Sequence, residues 1–559
     1  MGSGAVDAYE IEQSLIFDDG GVASMVRTPS STGNRKTWTL SVWLKRVDFA
    51  TGSPNGYQMI YGGQAAHEST IRTVDNKLNI TGWTGSATEF NWGNTRELRD
   101  SSAWFHLVVA FDSTQGTDTN RIKVYINGVQ ETPAGSITWP SQNLDTRMNL
   151  SGVTQYIGRY HNPAYSYNGY MAEFNWLDGT AAAASSFGKT NSDTGQWIPK
   201  EYSGSYGTNG FYLKFVSGAL GTDSSGQGNN YTASNLANAD VVTDTPTNNF
   251  STLNPLSSVG TNGTISEGNL KVVGGNYPAK IFPSTIAASS GKWYAEFLQS
   301  STSYPMVGVS DAGLFMSLHS NGGIRGSGAI TWDLGSTNGR YYINSTSETD
   351  NAGKGSAGSI IQVAFDADSR KVWFGINNTW QGSGNPAAGS NQIGVVAQTG
   401  ALVFFMRPEA NTQTANFGQK TFAYTPPSGF SALSTANLPD PAIPLPSAQF
   451  NTVLYTGAGQ TQTVTGVGFQ PDWLWIKSRS AVSYHNLMDA VRGIGSTTKV
   501  LFSNSTDAEA SLGSGTNKVS AVNSNGFVID GNSTDLNASS GNYVSWNWKA
   551  NGSGSTDTS

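Results

Sequence analysis

AWFHLVVAFD, residues 103–112, followed by RIKVYINGVQ, residues 121–130, is the stretch that decides the fold. Phe105, Leu107, Val109 and Phe111 alternate with His106, Val108 and Ala110, and Ile122, Val124 and Ile126 alternate with Lys123 and Tyr125. A period of two is that of a strand with one face in a core. Asn127-Gly128 closes the second run with the residue pair that a type I′ hairpin turn needs, because both positions take positive φ. Upstream, TWTLSVWLK (37–45) puts Leu40, Val42 and Leu44 on one face and Thr39, Ser41 and Lys45 on the other, with Trp43 an exception on the polar side. Downstream, SGVTQYIGRY (151–160) and YNGYMAEFNWLDG (167–179) read as two further strands.

The pattern recurs from Trp38 onward, and sustained helical periodicity is nearly absent; in the stretch after the proline-rich piece, SYHNLMDAVRG (483–493), ended by Gly493, is the only segment expected to be helical. The fold class is therefore all-β, a tandem of β-sandwich (jelly-roll) modules. Composition agrees: charged residues make up 13%, aromatics 11%, and there are 66 glycines, a balance suited to turn-rich sheets. A net charge of −7 provides no basic field for phosphates, so no nucleic acid is expected as partner. The chain has 0 cysteines, which removes disulfides, thiolate metal sites and cysteine nucleophiles together. The first twenty residues lack the charged and apolar regions of an export signal, and no apolar run reaches about 18 residues, so no membrane insertion is expected.

Breaks in the pattern give the expected organisation. Residues 1–14 are an N-terminal arm, 15–215 the first sandwich, and 216–249 a Gly/Ser/Asn-rich linker of partial order. Residues 250–435 form a second sandwich, with strands at GKWYAEFLQ (291–299), YPMVGVSD (304–311), SIIQVAFDADSRKVWFGINN (359–378) and ALVFFMRPE (401–409). The linker 436–449 carries Pro439, Pro441, Pro444 and Pro446, which cannot donate to a ladder. Residues 450–549 form a third β-rich module, in which Val544, Trp546 and Trp548 share a face, and 550–559 are a flexible tail. The joints are expected to flex, like beads on a string.

TLSVWLK, WFHLVVAFD with RIKVYINGVQ, and YIGRY with YNGYMAEFNWLDG resemble the laminin-G-like, concanavalin-like family. That implies a jelly-roll that often binds carbohydrate or protein through loops at one rim. GKWYAEF, VGVSD, VAFDADSRKVWFGINNTW and the closing MRPEANTQTANFG and FAYTPPSGFSAL are similar to SPRY domains. That likeness implies protein recognition, through loops such as Thr302 to Pro305 and Ser320 to Gly328. GFQPDWLWIKSR (468–479) resembles a module of tailed-bacteriophage structural proteins, and the order of the three is typical of large phage virion proteins.

Catalytic patterns are missing. The Glu-x-Asp-x-x-Glu arrangement of retaining glycosidases does not occur, and the nearest string, ETDNAG (348–353), reads as a polar loop. The 5 histidines show no metal spacing; His106 reads as a sheet-edge or partly buried imidazole rather than a base. No metal site or cofactor is assigned. Calcium is left open because Asp112 and Asp118 in DSTQGTDTN offer oxygens, although a plain hairpin loop explains them.

Candidate ligand-binding residues are aromatic and polar groups on connections, where sugar rings stack on indoles and phenols and side-chain amides and guanidiniums reach hydroxyls. They are Trp83 and Trp92 in GWTGSATEFNWGN (82–94), and Arg159, Tyr160, His161, Asn162, Tyr165 and Tyr167 in RYHNPAYSYNGY (159–170). The alternative is that these aromatics alternate into the core or cover its edge.

The function expected is a non-enzymatic bacteriophage virion component, a tail fibre, spike or capsid-decorating fibre, located in the virion assembled in the host cytoplasm. Its expected partners are other virion proteins, a host surface glycan or receptor, and its own copies, a trimer suiting a fibre. A tail-spike-type polysaccharide-degrading enzyme and a cellular adhesin are the alternatives.

Overall fold

The computed structural model describes residues 9–550 except 19–21, 55, 65, 66, 163, 301–303, 316–327, 336–338, 351, 352, 514 and 516. Among them the regular elements are strands and short 3-10 turns, so the expected helix at 483–493 is replaced by strand Asn486–Asp489 and a turn. Asn486 and Met488 are buried and Leu487 and Asp489 half-buried. This two-residue alternation pairs with Trp473–Ile476, so tertiary pairing overrides a weak helical preference.

In the first sandwich, an eight-stranded antiparallel sheet runs in the order Val129–Gln130, Ile122–Ile126, Phe105–Asp112, Thr37–Arg46, Gly169–Asp178, Ser14–Phe17 and Val241–Val242, with Phe211–Leu213 also on Gly169–Asp178. The facing sheet has seven strands: Thr232–Ser234, Ser24–Arg27, Thr154–Ile157, Tyr57–Gln64, Glu68–Val74, Lys77–Trp83 and Thr88–Gly93. Leu40, Val42, Leu107, Val109, Ile122 and Val124 from one sheet meet Ile60, Ile71, Leu78, Ile80 and Phe90 from the other. Trp38 stacks on Phe111 with centroids 4.8 Å apart. The Asn127-Gly128 turn has φ 48° and 78°, and returns Val129 against Ile126.

The second sandwich pairs a nine-stranded sheet, which includes Lys292–Gln299, Ile360–Asp366 and Lys371–Ile376, with a six-stranded one that includes Pro305–Asp311, Ala329–Asp333 and Leu402–Pro408. Trp293, Phe297, Trp332, Phe365, Phe374 and Phe404 form its centre. Glu348 lies on strand Thr346–Asp350, paired with Arg340–Ile343, rather than in the loop expected for it. Residues 302, 303 and 320–327 of the proposed recognition loops lie outside the described residues.

The joint between these sandwiches is not a flexible tether. Within residues 216–249, Thr232–Ser234 adds to the seven-stranded sheet and Val241–Val242 to the eight-stranded one. Ile16, Val47, Tyr170 and Val242 share one apolar cluster with the core of the second sandwich. At the seam Lys45 Nζ lies 2.8 Å from Asp244 Oδ2, both side chains with no solvent exposure. The ammonium also donates to Asn249 Oδ1 and the Phe250 carbonyl, while Trp104 Nε1 donates to Asp244 Oδ1 at 2.9 Å. A buried ion pair fully bonded in this way fixes one docking geometry, because separating it would strand two charges. Polar composition suggested a tether; Asp244 and Asn249 of that composition are instead bonded into this network. The arm is docked as well, with Ile11 buried beside Trp43 and Ala172.

The chain divides between Pro439 and Asp440, inside the proline-rich piece. The second unit has a six-stranded sheet, Phe450–Thr456, Asn542–Trp548, Trp473–Ser478, Asn486–Asp489, Thr498–Phe502 and Ala510–Leu512, and a three-stranded one, Gln462–Thr465, Gly526–Asp530 and Lys518–Asn523. Its core contains Leu474, Ile476, Met488, Val500, Phe527 and Ile529.

Candidate functional site

The site is built on the outer face of the seven-stranded sheet. In Glu68–Val74, Ile71 faces the core, so Glu68 and Arg72 fall outward. The neighbouring strand Tyr57–Gln64 slips register between Met59 and Tyr61, and Met59 pairs with Arg72 while Tyr61 pairs with Ile71. The extra residue, Ile60, lets Ile60 and Tyr61 both enter the core and places Tyr57 and Met59 on the open side.

Over this face folds the loop that leaves Thr154–Ile157. Tyr160 N donates to the Tyr165 carbonyl at 3.0 Å, and Arg159 and Ser166 form an isolated bridge. Asn162 Oδ1 accepts from Ala164 N, which holds the tip. The loop brings Tyr165 to Tyr57 and Tyr160 to Tyr165 in edge-on contacts of 5.5 and 5.6 Å. The Arg72 guanidinium lies 5.3 Å from the centre of the Tyr57 ring, and its Nε donates to Asn79 Oδ1 at 3.0 Å. Ser53, Tyr57, Met59, Arg72, Tyr160 and Tyr165 enclose a cleft of about 200 Å³.

At the margin, the Tyr160 hydroxyl donates to Glu68 Oε2. Burial pushes the Glu68 carboxyl above its usual range against the opposing pull of Arg72, and burial lowers the Arg72 pKa against the pull of Glu68. Each charge is desolvated and partly offset by the other.

Of the residues singled out in the sequence, Tyr160 and Tyr165 line the cleft. Trp83 pairs in register with Glu68 and is 39% exposed. Arg159 stacks over Tyr156 at 5.1 Å, and His161 and Asn162 are exposed on the loop, with the His161 ring 4.1 Å from that of Tyr160. Trp92 and Tyr167 are not available to a ligand, at 1% and 0% exposure. Trp92 belongs to the inward set of Thr88–Gly93, and the Tyr167 ring packs edge-on against Phe17 at 6.3 Å. Tyr57 and Met59 were not legible as site residues, because the register slip that turns them outward is a property of the pairing. A charge in the middle of an alternating strand, Arg72 in ESTIRTV, was the signal available.

The opposite outer face, on the eight-stranded sheet, is covered. His106 is buried there, in a central strand rather than at a sheet edge, stacked on Trp43 at 4.8 Å. Trp197 Nε1 can only donate, so His106 Nδ1 accepts from it at 3.1 Å and Nε2 carries the proton toward Ser41 Oγ at 2.8 Å. Burial drives the imidazole pKa down to about 3. Nearby, Glu173 at φ 52° sits in the bulge of Gly169–Asp178. Its carboxyl oxygens lie 2.5 Å from the Tyr212 hydroxyl and 2.9 Å from the Tyr9 hydroxyl, which are 2.7 Å apart. Three oxygen contacts and two phenolic hydrogens leave one contact without a proton unless the carboxyl holds it, and burial raises the Glu173 pKa in that direction.

Asp112 is occupied by Thr114 and Gln115 within its own turn, and among the described residues no three His, Asp or Glu side chains gather as a metal site. No described helix is long and apolar enough to cross a membrane.

Residues 19–185 match the family model of the concanavalin A-like lectin/glucanases superfamily, and residues 445–559 match that of a domain of unknown function, DUF7483. No curated protein matches the chain. Among solved structures, the TRIM65 PSpry domain is similar at 15% identity over 30% of this chain and 92% of its own, with a TM-score of 0.24. The SPRY domain of human HERC1 is similar at 15% identity over 29% of this chain and 96% of its own, TM-score 0.24. A heptameric SAP-like pentraxin from Limulus polyphemus has 14% identity over 32% of this chain and 80% of its own, TM-score 0.23.

Proposed function

We propose that this chain is a non-enzymatic recognition protein whose cleft between Tyr57, Arg72, Tyr160 and Tyr165 holds one sugar ring of a surface glycan. The observation that carries this reading is the arrangement of three phenol rings around a guanidinium in a cleft between the outer sheet face and the loop folded over it. Rings offer apolar faces to the C–H side of a sugar, and the guanidinium offers a fork of donors to hydroxyls or a carboxylate. A volume of about 200 Å³ equals that of roughly seven waters at about 30 Å³ each, enough for a single ring with its substituents. The match of residues 19–185 to a lectin/glucanase superfamily is consistent with binding.

Retaining hydrolysis requires two carboxyl groups about 5 to 5.5 Å apart. Glu68 is bonded to Tyr160 at the margin, and the cleft lining itself contains no carboxylate, which favours binding over cleavage. In this reading the chain is an outward-facing virion component of a bacteriophage, a fibre, spike or decoration, acting with virion proteins and copies of itself. Weak single-ring binding gains avidity from such repetition.

A glycan array with the full-length chain tests the binding role. Retention of one glycan class that Arg72→Ala and Tyr165→Ala each abolish is the expected result; binding unaffected by both, or release of new reducing ends from a bound polysaccharide, contradicts it. Mass spectrometry of purified phage particles tests the location, and a protein confined to the lysate supernatant would favour the adhesin alternative.

A further inference from the structure

Three side chains that meet at the seam between the two sandwiches hold the parts of an amide-forming reaction. Lys45 Nζ lies 2.8 Å from Asn249 Oδ1, 2.8 Å from Asp244 Oδ2 and 3.0 Å from the Phe250 carbonyl. Lys45 and Asp244 have no solvent exposure. The Tyr170 ring is 5.5 Å from the ammonium, and Trp104 packs edge-on against Tyr170 at 6.0 Å. Asp244 Oδ1 accepts from Trp104 Nε1 at 2.9 Å and from Phe250 N at 3.2 Å, which leaves Oδ2 turned to the amine. Asn249 is clamped by its backbone: its N–H donates to Thr435 Oγ1 and its carbonyl accepts from Thr435 N, both at 2.9 Å. Its Nδ2 donates to the Ser102 carbonyl at 2.6 Å.

We propose that Lys45 and Asn249 become joined by an isopeptide bond, with Asp244 carrying the protons, in a maturation step that staples the first sandwich to the second. A nucleophile, a carbonyl carbon and a carboxylate to move protons are what acyl transfer requires. Asn249 Cγ lies one carbonyl bond of about 1.23 Å beyond Oδ1, so Nζ, 2.8 Å from that oxygen, is within about 4 Å of the carbon. Turning the carboxamide closes the rest, to the roughly 3 to 3.5 Å at which such atoms react. Asp244 Oδ2 takes one proton from the ammonium, and the freed lone pair bonds to Cγ while the carbonyl pair moves onto Oδ1. Asp244 then hands its proton to Nδ2 and takes a second from Nζ. The Cγ–Nδ2 bond breaks, Oδ1 re-forms the carbonyl, and ammonia leaves with the proton held on Asp244. Asn249, Ser102 and Thr435 are half-buried, so ammonia has a way out on the Nδ2 side, while the Nζ side is closed to competing water. Three hydrogen bonds hold the ammonium charged, so the neutral amine is a minor state and closure is slow beside folding; until then the ion pair holds the seam. With 0 cysteines, the chain has no disulfide for this purpose, and an amide linking residues 45 and 249 constrains the unfolded chain in the same way. The bond is independent of glycan recognition.

Tryptic mass spectrometry of the full-length chain, fresh and after several days at neutral pH, tests the proposal. Trypsin does not cut after an acylated lysine, so closure joins peptides 37–46 and 215–271 in one branched species, lighter than their sum by about 17 Da, one ammonia. This species should accumulate with time at the expense of free 215–271, with fragmentation placing the link at Lys45 and Asn249. The aged chain, denatured, should run ahead of the fresh one in electrophoresis, because it contains a closed loop. Asn249→Ala, which keeps the Lys45–Asp244 pair, should fold, unfold thermally like the fresh wild type, and never form the link. The proposal is overturned if the aged wild type yields only free peptides, or if Asn249 gains about 1 Da by deamidation in place of the link. A loss of about 18 Da mapped to Asp244, or a link at Lys45 that persists in Asn249→Ala, would equally overturn it.

Discussion

The two outer faces of the first sandwich carry the same kinds of residue and use them in opposite ways. On the eight-stranded sheet, Trp43, His106, Lys45 and Tyr170 are covered by Trp197, the docked arm and the second sandwich, and His106, Lys45 and Tyr170 each have a polar partner inside the protein. On the seven-stranded sheet, Tyr57, Arg72, Tyr160 and Tyr165 surround an open cleft. An aromatic or charged side chain on a sheet face therefore reads as structure or as recognition according to what covers it, and coverage is set by segments distant in sequence.

That contrast can be broken first at the seam. Asp244→Ala leaves the Lys45 ammonium buried without its partner and is expected to cost about 3–5 kcal/mol in denaturant unfolding. The paired change Lys45→Met with Asp244→Leu should recover most of that loss, and an Asp244→Ala protein as stable as wild type would show that the seam is hydrated. Next comes His106, whose folded-state pKa of about 3 lies below its unfolded value. Between those values the unfolded chain binds the extra proton, so stability is full above about pH 6.5 and falls toward pH 3 by up to about 1.4 kcal/mol per unit. His106→Gln should flatten this slope in acid melts.

Glu173 gives the opposite sign. Its folded pKa is raised, so its contribution is present at low pH and is lost as pH rises through the folded value. Glu173→Gln should remove that decline, and hydrogen exchange at residues 9–13 should show whether the arm loosens with it. The smallest stability effect belongs to the open face: Tyr165→Phe should shift unfolding by less than about 1 kcal/mol while glycan retention falls. A large loss of stability there would mean that the cleft is held for packing.

Strand alternation made the sandwiches legible: Leu40, Val42, Phe105 to Phe111 and Ile122 to Ile126 all lie where period two puts them. Alternation is local and survives burial on one face. It could not convey a change of phase. The slip at Ile60 and the bulge at Glu173 each reverse the facing of the residues beyond them on the strand, so Tyr57 went unread. The inward set of Thr88–Gly93 also claimed Trp92, which in sequence looked as accessible as Trp83. Composition misled at 216–249, because a polar segment that bonds to two sheets and a segment that bonds to water have the same residues. Half of the site loop was visible as a cluster of tyrosines, and its strand partners were not.

Hydroxyl-radical footprinting of the full-length chain with and without its retained glycan tests the central claim most directly, since it reads individual side chains on both faces at once. Protection of Tyr57, Tyr160 and Tyr165, with Trp43 and Trp197 unchanged, is the result predicted. Unprotected tyrosines in the glycan-saturated protein would contradict it.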